Sequence, residues 1–123
     1  MGFRLRAELL GLCAQLEALS NSLERYRASY SAKLSELKER PGTEGMKATL
    51  SRVLDELEAV ADVVNRIRSL ACSGEPGLQT LVRAYHIADQ AYYKMVAGHG
   101  ASVPASIRSA FYEIYRTLKS IAL

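Results

Sequence analysis

Two consecutive segments of the chain carry an apolar residue alternately at every third and every fourth position. The repeat comprises Leu9, Leu12, Leu16, Leu19, Leu23, Tyr26 and Tyr30 in the first segment, and Met46, Leu50, Val53, Leu57, Val60, Val64, Ile67 and Ala71 in the second. This spacing places one apolar stripe along each helix, and each stripe must be buried against another helix. Pro41-Gly42 lies between the segments and interrupts the helix. The repeat therefore predicts a long antiparallel helical hairpin.

The register of this hairpin follows from the numbering. In an antiparallel pair, residues at the same height have position numbers with a constant sum. Six pairs of repeat residues share one sum, from Leu12 with Ala71 at one end to Tyr30 with Val53 at the other. Because the midpoint of that register falls at Pro41-Gly42, two independent signals place the turn at the same residues.

Two shorter helices are expected after the hairpin. The first two helices are predicted over 3–39 and from about 43 to 73, with Thr43 as an N-cap. Pro76 opens the third, and Gly98-His99-Gly100 ends it. The fourth follows Ser102 and Pro104. The apolar face of the third helix comprises Leu78, Leu81, Tyr85, Ala88, Tyr92 and Met95. That of the fourth helix comprises Ile107, Phe111, Ile114, Leu118 and Ile121.

The second helix is apolar on both sides of its stripe, which indicates more than one neighbour. The first helix has polar or small flanks and is expected at an edge. We therefore predict an all-α fold, an up-down-up-down four-helix bundle with a long antiparallel coiled-coil hairpin formed by helices 1 and 2. A length of 123 residues fits a single domain over 1–123.

Composition excludes several function classes. No apolar run approaches the ~20 residues of a membrane span, and Glu8 interrupts the weak signal-peptide pattern at the N-terminus, so no membrane partner and a cytoplasmic location are expected. The net charge is +3, which is mild for a nucleic-acid binder. Most of the excess lies around the hairpin turn. The bases there are Arg25, Arg27, Lys33, Lys38, Arg40, Lys47 and Arg52.

The two cysteines, Cys13 and Cys72, fall at nearly the same height on the predicted hairpin. On the helical wheel both cysteines fall on the same flank of the hairpin, but Cys72 lies one step further out. A disulfide requires Cα atoms within about 7 Å, and this offset makes that distance marginal. We therefore expect two unpaired, half-buried thiols, with a disulfide as the alternative. Cytosolic disulfides are rare outside hyperthermophiles. The scarcity of Asn and Gln is compatible with a thermophilic source.

No motif for chemistry stands out. His86 and His99 are the only histidines, and neither belongs to a pattern with metal-ligand spacing. His99 between two glycines is expected to be a loop residue rather than a ligand contact. The acidic residues of helix 2 are spread round the helix and do not converge. We expect no catalytic residues, metal, cofactor or small-molecule substrate.

The fourth helix carries bases interleaved with tyrosines. These residues are Arg108, Tyr112, Tyr115, Arg116 and Lys119, and they are assigned to the face opposite the core. Such a face is most often simply solvated, but it also suits a protein interface rich in Tyr and Arg or stacking on nucleic-acid bases. All three interpretations stay open at this stage.

The leading functional hypothesis is a non-enzymatic helical module for protein assembly, either a homo-oligomer or a small subunit of a larger complex. The hairpin is longer than helices 3 and 4, so its far end should expose part of the apolar stripe. The predicted interface residues are Tyr26, Tyr30, Leu34, Leu37, Met46 and Leu50. The alternative is a nucleic-acid-associated subunit of a ribonucleoprotein or DNA complex that uses the helix 4 face and the basic turn.

Overall fold

The computed structural model describes residues 3–95, residue 98 and residues 103–123. It contains four helices, α1 (Phe3–Leu37), α2 (Glu44–Ala71), α3 (Leu78–Lys94) and α4 (Ala105–Ala122), and no strand among the described residues. Consecutive helices pack side by side, and α4 returns to contact α1. The prediction of an all-α up-down-up-down four-helix bundle is confirmed. None of the described helices is long and apolar enough to cross a membrane.

Each helix has two packing neighbours, so the expectation that α1 lies at an edge is wrong. Its narrow apolar stripe faces both α2 and α4. The core is formed by most of the predicted stripe residues of all four helices, together with Ala84, Val103 and Ala122. Its largest fully buried side chains are Phe111, Leu12, Leu16, Leu23, Leu57, Ile67, Leu81, Ile107, Ile114, Leu118, Val64 and Val103. Burial of this apolar surface is the main force that holds the bundle together.

The turn between α1 and α2 lies where the repeat places it. Gly42 adopts a φ of +80°, a left-handed conformation that favours glycine. Thr43 was expected to cap α2, but its hydroxyl makes no cap hydrogen bond there. Instead it donates to the carbonyl oxygens of Leu37 at 3.2 Å and Arg40 at 2.7 Å. Thr43 is thus the N-cap residue of α2 by position, but its hydroxyl contacts carbonyl oxygens of the turn rather than an N–H of α2.

The other end of the hairpin is closed by a disulfide. Cys13 and Cys72 are joined, with their Cα atoms 5.9 Å apart. The expectation of two unpaired thiols is wrong because Cys72 is not inside an ideal helix: α2 ends at Ala71, and Cys72 is its C-cap residue. An exposed ion pair between Arg6 and Glu75, at 3.2 Å, lies at the same end.

The starts of the two shorter helices differ slightly from the prediction. Pro76 is buried and precedes α3, whose N-cap is Gly77. Leu78 is 65% exposed, so it does not belong to the predicted apolar face. The helix 4 N-cap is Pro104, while Ser102 and His99 lie outside the described residues.

The hairpin is longer than the helices that cover it. At 1.5 Å per residue, α1 is roughly 50 Å long and α3 and α4 are only about 25 Å each. The hydroxyl of Tyr26 hydrogen-bonds that of Ser106, near the start of α4, at 2.9 Å, which marks the height at which α4 begins. We call the part of the hairpin beyond this level, residues 31–52, the arm, and the part covered by all four helices the base.

Candidate interaction surfaces

The six residues predicted to form an interface divide into two groups. Tyr26 and Tyr30 are half-buried against the core, with their rings stacked at a centroid distance of 6.3 Å. The other four lie in the arm and are not part of the core cluster of the base. These four are Leu34, Leu37, Met46 and Leu50. The two tyrosines therefore close the base, whereas the apolar residues of the arm lie beyond the helices that cover it.

In the arm, the apolar stripes of α1 and α2 are covered only by each other. Leu34, Leu37 and Leu50 are half-buried, and Met46 is 60% exposed. A shallow groove runs between the two helices. It is lined by Lys33, Glu36, Leu37, Gly45, Met46, Thr49 and Leu50. An apolar centre with charged side chains of both signs at its margins is the usual anatomy of a protein interface.

A second notable surface is formed by four tyrosines between α3 and α4, which we call the tyrosine cluster: Tyr85, Tyr92, Tyr112 and Tyr115. The Tyr115 ring stacks with Tyr85 at 5.7 Å and with Tyr92 at 4.9 Å between centroids. Tyr92 also contacts Tyr112 at 5.2 Å. Each such ring pair stabilises the fold by roughly 0.5–1.5 kcal/mol beyond the contribution of the apolar area that it buries. The tyrosine cluster therefore helps to hold α3 against α4.

This arrangement corrects the assignment of Tyr115 to the face opposite the core. Tyr115 follows the buried Phe111 by four positions and precedes the buried Leu118 by three, so it lies beside the core stripe and is half-buried. The polar side chains of Tyr85 and then Asp89 nearby, together with partial desolvation, raise the pKa of Tyr115 well above its ordinary value. With Tyr85 and Tyr92 stacked on it, the Tyr115 ring is not free to stack on a nucleic-acid base.

The remaining residues of the predicted helix 4 face are exposed. They are Arg108, Tyr112, Arg116 and Lys119. The Arg116 guanidinium lies 5.8 Å from the centre of the Tyr112 ring and 3.6 Å from the Glu113 carboxylate. Arg116 therefore already has two partners within its own helix, and a phosphate would have to compete with both.

Among the described residues, His86 and the acids do not come together as metal ligands. His86 is exposed, and its ring lies 5.5 Å from that of Tyr85. No group of His, Cys, Asp or Glu in residues 3–95, 98 and 103–123 is arranged to hold a metal ion. The one acid with an unusual environment is Glu56 on α2, whose Oε2 atom is buried without a hydrogen-bond partner. The sequence does not single Glu56 out, because the run of acids round α2 gives no sign of which one is buried.

Comparisons of this chain with models of protein families, with curated proteins and with solved structures give no match.

Proposed function

We propose that this protein is a non-enzymatic helical assembly module, and that its arm pairs with the arm of a second copy. One observation carries the proposal: the base has four helices in cross-section, whereas the arm has only two. A second arm packed across the first would supply the two missing helices and continue the bundle beyond the base.

The apolar residues of the arm provide the driving force for such pairing. Met46 is largely exposed, and Leu34, Leu37 and Leu50 are incompletely covered. Removing an apolar side chain from water contributes roughly 25 cal/mol per Å². The charges of residues 31–52 are mixed, with bases outnumbering acids by two (Lys33, Lys38, Arg40, Lys47 and Arg52 against Glu36, Glu39 and Glu44). Repulsion between two arms is therefore small and is screened by salt.

The alternative of a nucleic-acid-associated subunit has weaker support. Tyr115 is stacked between two other tyrosines, and Arg116 contacts Tyr112 and Glu113. The basic residues near the turn are interspersed with acids, and two of them already have partners: Lys47 donates to the carbonyl oxygen of Lys38 at 3.1 Å, and the Lys33 ammonium lies 5.5 Å from the centre of the Tyr30 ring. Assembly through the arm uses an uncovered apolar surface, for which nucleic-acid binding offers no explanation.

The test is the molar mass of the full chain in solution, measured by sedimentation equilibrium at micromolar concentration. We expect a dimer that persists at high salt, because apolar pairing is not weakened by screening. Met46→Glu should shift the protein to a monomer, since it places a charge where the arms meet. Leu10→Glu is the matched control, because Leu10 is 74% exposed on α1 outside the arm, and it should leave the dimer intact.

Two results would contradict the proposal. One is a monomeric wild-type chain at all concentrations tested. The other is a dimer that Met46→Glu and Leu10→Glu affect equally. An RNA or DNA mobility shift that weakens steeply with salt, and that is lost in Arg108→Ala combined with Arg116→Ala, would favour the nucleic-acid alternative.

We also propose a cytoplasmic location in a thermophilic organism, where the Cys13–Cys72 disulfide could persist. The few Asn and Gln residues support the thermophilic source. The disulfide is compatible with the cytoplasm only in such an organism, because disulfides are otherwise typical of oxidising compartments. Rapid alkylation of thiols in intact cells, followed by mass spectrometry, should find both cysteines protected. Alkylated cysteines, or export of the chain from the cytoplasm, would count against it.

A further inference from the structure

The groove of the arm presents its residues at two heights. Lys33 and Glu36 line it on α1, and Met46 and Leu50 line it on α2. In the register of the hairpin, Lys33 lies level with Leu50, and Glu36 lies about level with Met46. The second level is roughly 5 Å nearer the turn than the first. Each helix therefore contributes one groove residue at each height, charged on α1 and apolar on α2.

The two charges on α1 are not used within the chain. Lys33 and Glu36 are both exposed, and neither forms an ion pair among the described residues, with each other or with a third group. The Lys33 ammonium lies 5.5 Å from the centre of the Tyr30 ring, but it has three N–H donors, so contact with one ring does not exhaust it. A partner with the opposite arrangement of charges could therefore pair with both residues.

The base limits the direction from which a second arm can approach. Met46 and Leu50 belong to the apolar stripe of α2, and further along α2 the same stripe is covered by α3 and α4. Two arms packed groove to groove have helix axes only about 8–10 Å apart. If the arms ran in the same direction, the α3 and α4 helices of both copies would have to fit into that one gap. Arms that run in opposite directions avoid this clash, because each fills the space beyond α3 and α4 of the other copy.

We infer that the two arms pair in opposite directions, about a two-fold axis that passes between the levels of Lys33 and Glu36. This inference rests on the proposed assembly and adds its orientation and its specificity-determining residues. Such an axis sets α1 against α1 and α2 against α2 of the second copy, with the heights reversed. Lys33 of each copy then faces Glu36 of the other, and Met46 faces Leu50. Pairing in the same direction would instead set α1 against α2, and both charges would lie on apolar residues.

Exchange of the two charges tests this orientation. Lys33→Glu alone and Glu36→Lys alone each place like charges opposite one another at two symmetric contacts. Each should raise the dissociation constant of the dimer roughly tenfold at low salt. The double variant restores opposite charges and should dimerise as tightly as the wild type. Lys38→Glu and Glu39→Lys are the matched controls, because both side chains are exposed in the arm outside the groove, and they should change the constant by no more than about twofold.

A mixture of the wild type with the double variant gives a sharper readout. Mixed dimers would set lysine against lysine and glutamate against glutamate. Affinity capture of a tagged wild-type chain should therefore recover about fivefold less untagged double variant than untagged wild type, if mixed contacts weaken pairing about tenfold. At about 1 M salt the difference should disappear while the dimers persist, because screening weakens ion pairs and leaves apolar contacts in place.

Small-angle X-ray scattering measures the orientation independently. Two α1 helices of roughly 50 Å each that overlap only in the arm, by roughly 15 Å, form a particle about 85 Å long, whereas pairing in the same direction gives about 60 Å. A dimer near the shorter length would overturn the orientation and leave the proposed assembly intact. Equal capture of the two untagged chains, or single exchanges that behave like their controls, would do the same. A wild-type chain that stays monomeric would overturn both proposals, and circular dichroism checks that each variant keeps its helices.

Discussion

Removal of the Cys13–Cys72 disulfide tests how strongly the base of the hairpin depends on a covalent link. The two residues are separated by 59 positions in the sequence. The entropy that a cross-link removes from the unfolded chain grows with the logarithm of the loop it closes. For a loop of this length the chain-entropy relation gives about 14 cal/mol/K, or about 4 kcal/mol at 25 °C. This is a large part of the ~5–15 kcal/mol by which domains are stable.

The perturbation is the double substitution Cys13→Ser and Cys72→Ser, and the assay is urea unfolding followed by circular dichroism. We expect the free energy of unfolding to fall by about 2–4 kcal/mol, with the lower end allowing for residual structure in the unfolded chain. The dependence of that free energy on urea should steepen, because an unfolded chain without a cross-link exposes more surface. Since both cysteines are only half-buried, lost packing is a minor part of the effect.

Adding a reductant distinguishes the effect of losing the disulfide from the effect of replacing the cysteine side chains. Added to the wild-type protein, it should lower the urea midpoint nearly to that of the double variant, and it should leave the double variant unchanged. A wild-type midpoint that does not respond to complete reduction, verified by thiol titration, would refute the reasoning. So would a double variant as stable as the oxidised protein.

Three further predictions concern stability. Gly11→Ala should raise the free energy of unfolding by about 1 kcal/mol, because Gly11 lies within α1 with open space around it. Gly42→Ala should lower that free energy by about as much, because Gly42 has a positive φ. A change of the same sign in both variants, measured by urea unfolding, would contradict this. The folded state raises the pKa of Tyr115 above the ordinary value of 10.0, so it retains the phenol proton where the unfolded chain loses it, and stability should fall as pH rises above that value. Tyr115→Phe should reduce this alkaline loss, and an unchanged pH profile would argue against the influence of Tyr85 and Asp89 on Tyr115. Phe111→Ala should lower the free energy of unfolding by about 3–5 kcal/mol, because Phe111 is fully buried. Tyr93→Ala, at a site that is 76% exposed, should change it by no more than about 0.5 kcal/mol. Comparable losses of stability in the two variants would place the core elsewhere.

The hairpin was predictable because many residues repeat the same constraint. Each stripe residue from Leu12 to Leu23 has an apolar partner at the same height between Val60 and Ala71. The helix-breaking pair Pro41-Gly42 lies at the midpoint that this register requires. A single misjudged position would not alter such a pattern. The shorter helices have fewer repeats, and the errors there lie at their ends: Leu78 is exposed, and α3 begins after Pro76 rather than at it.

The candidate sites were less predictable, because each depends on one or two residues. The disulfide depends on where α2 ends, and an ideal helix continued to Cys72 places that residue at the wrong angle. The position of Tyr115 depends on how α3 packs against α4, and Tyr85 and Tyr92 on α3 decide it. Glu56 is half-buried, whereas the other acids of α2 are exposed, because it lies beside a groove between α2 and α3. None of these facts is expressed in helical periodicity.

Hydrogen–deuterium exchange at two protein concentrations tests the pairing of the arms most directly. Amides of residues 31–52 have only one neighbouring helix in the single chain, so they should exchange faster than those of the base when the protein is dilute. If two arms pack together, raising the protein concentration well above the dissociation constant should slow exchange in residues 31–52 and leave that of Leu57–Ile67 nearly unchanged. Exchange in the arm that is independent of concentration, across the range in which the molar mass is measured, would contradict the account.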